Sequence, residues 1–116
     1  MHVLALRIDL RIPISESLKA KRSAITPIVE GARRRFHVAS AEVGRQDDRH
    51  RAELGFVSVS GSAGHAGAVI DEVERFVWSF PEIEVIEADR TWLEDDSCRT
   101  LAVAGTAPAG TRAWSG

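Results

Sequence analysis

The 116-residue sequence contains a single cysteine, Cys98. One cysteine excludes an internal disulfide, and a structural zinc site would need several Cys or His ligands at suitable spacing. Long apolar runs are also lacking: the first is short, is interrupted by Arg7 and Asp9, and has no charged leader before it. We therefore expect a cytoplasmic protein with no membrane partner, no metal and no cofactor.

Catalytic patterns are missing as well. The segment Gly61–Gly64 precedes a predicted helix but lacks the lysine and the spacing of a P-loop. His37 and His65 have no Cys, Ser or Asp partner at suggestive spacing, so we interpret both as structural or surface residues. The polar run Asp47–His50 is interpreted as a solvated turn rather than a metal or acid–base site. The sequence therefore predicts no catalytic residues and a protein that is not an enzyme.

Apolar periodicity divides the chain into four predicted strands and two predicted helices. In chain order these are a strand over 2–12, a helix over 17–36, strands over 37–43 and 52–60, a helix over 62–80 and a strand over 82–93. Pro27 lies inside the first helix, where we expect a kink or an offset start. The apolar residues of the last strand change phase between Val85 and Ile86, which indicates a bulge or burial on both faces.

This element order is the split βαβ plan, which predicts a ferredoxin-like α+β fold. Both helices then cover one face of a four-stranded antiparallel sheet, and the other face stays open. Arg7, Asp9 and Arg11 project onto that open face, which is a natural place for dimerisation or RNA binding. We expect residues 1–93 to form this domain and residues 94–116, which lack periodicity, to be a disordered tail.

Charge is distributed unevenly along the chain. Residues 1–51 carry eleven Lys or Arg against six Asp or Glu, whereas residues 52–116 carry four against eleven. Such asymmetry is typical of a basic surface that meets phosphates or acidic partners. The alternative is that the two halves neutralise each other within one fold.

The basic residues cluster at both ends of the first predicted helix and in the loop after the second strand. The candidate phosphate-binding residues are Lys19, Lys21, Arg22, Arg33, Arg34, Arg35, Arg45 and Arg51, with Arg49 beside them. Arginines at a helix C-terminus also complement the helix dipole, and a charged helix face is often merely solvated. Base stacking is disfavoured because the third strand offers one aromatic, Phe56, and the first offers none. Any RNA binding should therefore be led by the phosphate backbone.

Several motifs resemble the YlxP-like family, small bacterial proteins of unknown function. These motifs are Met1–Val3, Ser17–Arg22, Ala41–Val43, Gln46-Asp47, Arg51–Gly55, Arg75–Val77 and Trp92. Gly44-Arg45 and Arg49 depart from the family pattern. The resemblance implies a ferredoxin-like fold and genes that often lie beside those for translation initiation and ribosome maturation factors.

The sequence thus favours a non-catalytic accessory protein that contacts structured RNA or the ribosome through the basic helix. The alternative is a homo-oligomeric protein-interaction module that uses the open sheet face or an edge strand. An unrecognised small enzyme is the third hypothesis.

Overall fold

The computed structural model describes residues 1–93. The elements in chain order are β1 (His2–Arg11), α1 (Leu18–Phe36), β2 (Ala39–Gly44), β3 (Arg51–Ser60), α2 (Ala63–Trp78) and β4 (Glu84–Leu93). All six elements are those that the sequence predicts, with small shifts at their ends. The predicted tail over 94–116, with Cys98, lies outside the described residues.

The four strands form one antiparallel sheet in the order β2-β3-β1-β4. This order, with a helix after β1 and another after β3, is the ferredoxin-like topology, so the predicted fold class is confirmed. β1 lies inside the sheet, where Leu6 pairs with Phe56 of β3 and with Arg90 of β4.

Both helices pack on the sheet face that alternate apolar residues of β1 supply. Leu4, Leu6, Ile8 and Leu10 are each at most 1% exposed. The helices meet them with a stripe of buried residues at helical spacing, as the periodicity predicts. These are Ile25, Ile28 and Ala32 from α1 and Ala66, Ile70, Val73 and Val77 from α2.

α1 runs through Pro27 as a single helix of 19 residues. The Ser17 side chain caps its start by accepting a hydrogen bond from the backbone N–H of Ala20 at 3.0 Å. His37 ends it in the left-handed conformation, with φ of 56°. No described helix, within residues 1–93, has the length and apolar character needed to cross a membrane.

Two of the strands contain an extra residue relative to their partners. The register of β4 against β1 shifts between Asp9 and Leu10, opposite Ile86, which confirms the predicted bulge. The register of β2 against β3 shifts at Val43, just before Gly44. This second bulge turns the chain into the loop over residues 45–50.

Candidate functional site

Lys21 is not on the basic surface where the sequence analysis placed it. Its side chain is 1% exposed, and its ammonium donates to the backbone carbonyls of Arg45 (2.8 Å), Gln46 (3.4 Å) and Arg51 (3.2 Å). The same nitrogen lies 3.0 Å from Oε2 of Glu42. A buried ammonium needs this complete set of acceptors, because its desolvation is costly. We therefore correct the assignment: Lys21 organises the 45–50 loop from beneath.

A signal for this burial is present in the sequence. Lys21 comes three residues after Leu18 and four before Ile25, so it falls on the apolar stripe of α1 rather than outside it. A cation on a core-facing position requires an internal partner. Of the residues that satisfy it, Glu42, Gln46 and Arg51 belong to the motifs that carry the family resemblance.

Arg45 and Arg51 both serve a buried carboxylate, that of Asp9, which is 7% exposed. Nη2 of Arg51 donates to Oδ2 of Asp9 at 2.8 Å, and Nε of Arg45 lies 3.6 Å from Oδ1. Arg45 reaches this position from a left-handed backbone conformation, with φ of 57°. These two cations offset the free-energy cost of removing the Asp9 carboxylate from water. Both arginines are thus partly committed to a carboxylate within the fold.

Arg33 and Arg35 are also engaged, although both are exposed. The Arg33 guanidinium donates to Glu30 and to the backbone carbonyl of Ser40 on β2, both at 2.8 Å. That contact covers part of the sheet edge that β2 forms. Arg35 makes cation–π contacts with two rings, that of Phe76 at 5.1 Å from its centroid and that of Phe36 at 5.4 Å.

The remaining three candidates, Lys19, Arg22 and Arg34, are exposed on α1. Within residues 1–93, no ion pair joins any of them to an acidic side chain. At 3.6 residues per turn they share one solvent-facing side of α1 with Arg33, and the rise of the helix spreads them over about 22 Å. We call Lys19, Arg22, Arg33 and Arg34 the basic face. Its one acidic neighbour on α1 is Glu30.

The charge asymmetry of the chain has two different outcomes in the fold. On the open sheet face the halves do neutralise each other: Arg7 is paired with Glu53 and Glu87, at 3.1 and 2.7 Å, and with Asp89. The hydrogen bonds that Arg7 donates to these three carboxylates, to Asp89 first, raise the pKa of Arg7. On the helical side of the sheet the two halves of the chain do not neutralise each other. There, the acidic residues of α2 do not pair with the basic face of α1 within residues 1–93.

The polar run Asp47–His50 is an organised turn. The Asp48 carboxylate accepts hydrogen bonds from the backbone N–H groups of His50 (2.8 Å) and Arg51 (3.1 Å). The first of these bonds is the main reason that the pKa of Asp48 lies below its usual value. Arg49 donates to the carbonyl of Glu16 at 3.3 Å, which holds this loop against the start of α1.

His37 and His65 come together in one shallow groove between the end of α1 and the start of α2. Glu72, Val69 and Arg35 line the same groove. Across residues 1–93, no group of three or more His, Cys, Asp or Glu side chains is arranged to hold a metal ion.

Comparison with known proteins finds a matching family model, a curated relative and a solved structure. A family model described as "Protein of unknown function (DUF503)" matches residues 3–90. The Uncharacterized protein YlxP of Bacillus subtilis (strain 168) is 37% identical over 68 residues, which cover 59% of this chain and 74% of that protein. Among solved structures, a de novo designed protein with a ferredoxin fold matches at 12% identity and a TM-score of 0.49, covering 80% of this chain and 84% of the design.

Proposed function

Since the chain belongs to the DUF503 family of proteins of unknown function, we propose that it is a non-catalytic cytoplasmic protein that binds structured RNA, as in the ribosome. The proposed contact surface is the basic face of α1. This revises the larger set of candidates in the sequence, because Lys21 is buried and Arg35, Arg45 and Arg51 are engaged within the fold.

The observation that carries the proposal is the absence of acidic partners for Lys19, Arg22 and Arg34 within residues 1–93. Most of the other arginines in residues 1–51 form ion pairs with carboxylates. Lys19, Arg22 and Arg34 differ from them in having no acidic partner among residues 1–93. Cations that are not paired within a protein release counterions when they meet phosphates, and this release supplies most non-specific affinity for nucleic acids. A single continuous helix also holds such cations at fixed spacing.

The expected mode is contact with phosphates rather than with bases. The register places Val3, Ala5, Val57 and Val59 on the open sheet face, where an RNA-recognition module would present stacking aromatics. Trp92 pairs with Leu4 in the register and therefore belongs to the helical side. Binding through the basic face should accordingly discriminate poorly among sequences.

The test is cosedimentation with ribosomal subunits and anisotropy titration with a structured ribosomal RNA fragment, across a series of salt concentrations. We compare the full chain with a triple variant, Lys19→Gln, Arg22→Gln and Arg34→Gln. Each lost phosphate contact should reduce the slope of log affinity against log salt by about 0.7 to 0.9, and hence by about two to three units in total.

A matched control is available on the other helix. Arg75 of α2 has a 72% exposed side chain and only a distant partner, Glu72 at 3.9 Å. Arg75→Gln should leave affinity and slope unchanged, whereas Arg34→Gln should lower both. Wild-type protein that shows no salt-dependent association at low ionic strength, or a triple variant with the wild-type slope, would refute the proposal.

A second candidate function is a homo-oligomeric interaction module that uses the open sheet face. It is favoured by the apolar residues at one end of that face, including Val59, which is 62% exposed. The two candidates use opposite sides of the domain. Substitutions on the basic face should therefore leave any oligomeric state unchanged.

A further inference from the structure

The basic face of α1 has two cationic ends and a middle that carries no cation. Lys19 and Arg22 form one end, and Arg33 and Arg34 form the other. Arg33 comes eleven residues after Arg22 in the same helix, which corresponds to about 16 Å along its axis. A nucleic acid that meets both ends therefore presents two groups of phosphates with a gap between them.

The middle of this face offers hydrogen-bond acceptors instead. We define the middle segment as Ser23, Thr26, Pro27 and Glu30, which lie on the same side of the helix as the basic face at about 3.6 residues per turn. Pro27 has no N–H, so the backbone carbonyl of Ser23 lacks its usual helical donor. The Glu30 side chain is 44% exposed; one of its oxygens accepts from Arg33 at 2.8 Å, and the carboxylate can accept further bonds. A phosphate would be repelled here, whereas a hydroxyl donor would be accepted.

We propose that α1 lies across the minor groove of double-stranded RNA. The two ends of the basic face then contact phosphates of opposite strands, and the middle segment contacts the 2′-hydroxyl groups between them. This inference rests on the proposed function and names its partner as an A-form duplex. The minor groove of A-form RNA is wide and shallow and displays 2′-hydroxyls, which can donate hydrogen bonds. Cations thus meet phosphates, and acceptors meet donors.

Other nucleic acids fit this arrangement less well. A single strand laid along α1 would bring its phosphates past Glu30, where like charges repel. The major groove of A-form RNA is too narrow and deep for side chains to read. The major groove of B-DNA is about 8.5 Å deep, so a helix that crosses it from phosphate to phosphate leaves the middle segment above the base edges. DNA also has no 2′-hydroxyl to donate to Glu30.

Fluorescence anisotropy of the full chain at low ionic strength tests the proposal with four probes. These are an RNA duplex of about 16 base pairs, one of its strands in a sequence that does not self-pair, a DNA duplex of the same sequence and the RNA duplex with 2′-O-methyl groups throughout. The RNA duplex should bind about tenfold more tightly than the single strand and the DNA duplex, the effect of a hydrogen bond to a charged acceptor. The 2′-O-methyl duplex keeps its phosphates but has no hydroxyl donor, so it should lose a similar factor.

Glu30→Lys tests the middle segment by a change of sign. A phosphate strand that ran along α1 would bind this variant more tightly, whichever probe is used. Across a minor groove the variant loses an acceptor, so we expect weaker binding of the RNA duplex and loss of its preference over the DNA duplex. Glu72→Lys is the matched control, because it makes the same charge change on α2 at a 60% exposed side chain. It should preserve the preference, and equal melting temperatures establish that both variants fold.

The outcomes separate this inference from the proposed function. Equal affinities for the RNA duplex and any other probe would overturn the duplex proposal and leave the basic face as a general phosphate-binding surface. A rise in RNA-duplex affinity with Glu30→Lys that equals the rise with Glu72→Lys would also overturn it. A wild-type protein that binds no RNA, including the structured ribosomal fragment, would overturn the proposed function itself.

Discussion

The Lys21 ammonium lies 3.0 Å from Oε2 of Glu42 and also reaches three backbone carbonyls, two in the loop between β2 and β3 and one at the first residue of β3. One buried cation thus joins the start of α1 to the neighbouring loop. Together with the Asp48 turn and the Arg49 contact, these bonds fix the backbone of the loop over residues 45–50.

Replacing Lys21 should therefore cost far more than replacing its exposed neighbour. Lys21→Met keeps the unbranched apolar part of the side chain but leaves Glu42 and the carbonyls without their donor, so we expect a loss of about 3 to 5 kcal/mol in the free energy of unfolding. Lys19→Met, on the solvent side, should change it by less than about 0.5 kcal/mol. Urea denaturation of both variants measures the difference. Equal effects would contradict the structural role of Lys21.

The contrast between these two lysines shows where reasoning from sequence succeeds. Strand and helix periodicities depend on local spacing, so the six elements and their topology follow from residue patterns. The change of phase in β4 indicates the bulge as one of two alternatives, and the register decides for it. Whether a Lys or Arg side chain is buried, paired or unpaired depends on partners that are far away in the sequence. Arg7 meets Glu87 and Asp89 only after β4 has joined the sheet. Arg45, Arg51 and Arg35 are likewise engaged through tertiary contacts that composition does not reveal.

The two helices approach each other closely at Gly31. A Cβ at this position would lie 2.6 Å from Cζ of Phe76. That ring cannot easily move, because Phe36 and Phe80 both pack edge-on against it. Gly31→Ala, normally stabilising within a helix, should here destabilise the protein by about 1 to 3 kcal/mol through overpacking.

A second substitution separates overpacking from other effects of Gly31→Ala. In the double variant with Phe76→Leu, the added methyl group has space, so the cost of Gly31→Ala should shrink or change sign. Thermal unfolding of the four proteins of this double-mutant cycle gives the coupling. Additive effects would show that the helices do not meet through this pair.

The Asp48 turn should make stability depend on pH in the acidic range. The backbone N–H of His50, and secondarily that of Arg51, lowers the pKa of Asp48 below the ordinary value of 3.8. A depressed folded-state pKa contributes stability above the unfolded-state pKa, and this contribution is lost as pH falls through the folded-state value. The difference in stability between wild type and Asp48→Ala should therefore be constant near neutrality and shrink below about pH 4. A difference that grows on acidification would contradict this turn geometry.

Arg34 and Arg35 are adjacent in sequence, yet the structure predicts opposite phenotypes for them. Arg34 lies on the basic face, and Arg35 lies over the Phe36 and Phe76 rings at 5.4 and 5.1 Å from their centroids. Arg34→Gln should reduce the salt slope of RNA binding by about 0.7 to 0.9 and leave the melting temperature unchanged. Arg35→Gln should lower the stability by about 0.5 to 1 kcal/mol, the value of an exposed cation–π contact.

Both substitutions remove one positive charge from the same helix turn, so each serves as the control for the other. A general effect of net charge on RNA association would lower both slopes equally. A specific basic face lowers the slope for Arg34→Gln more than for Arg35→Gln, because only the Arg34 guanidinium lacks a partner that it must leave before it meets a phosphate. Titrations of one structured RNA with both variants, at matched ionic strengths, decide between these outcomes. Equal slopes would show that RNA association depends on diffuse electrostatic attraction to the net charge rather than on contacts with the basic face.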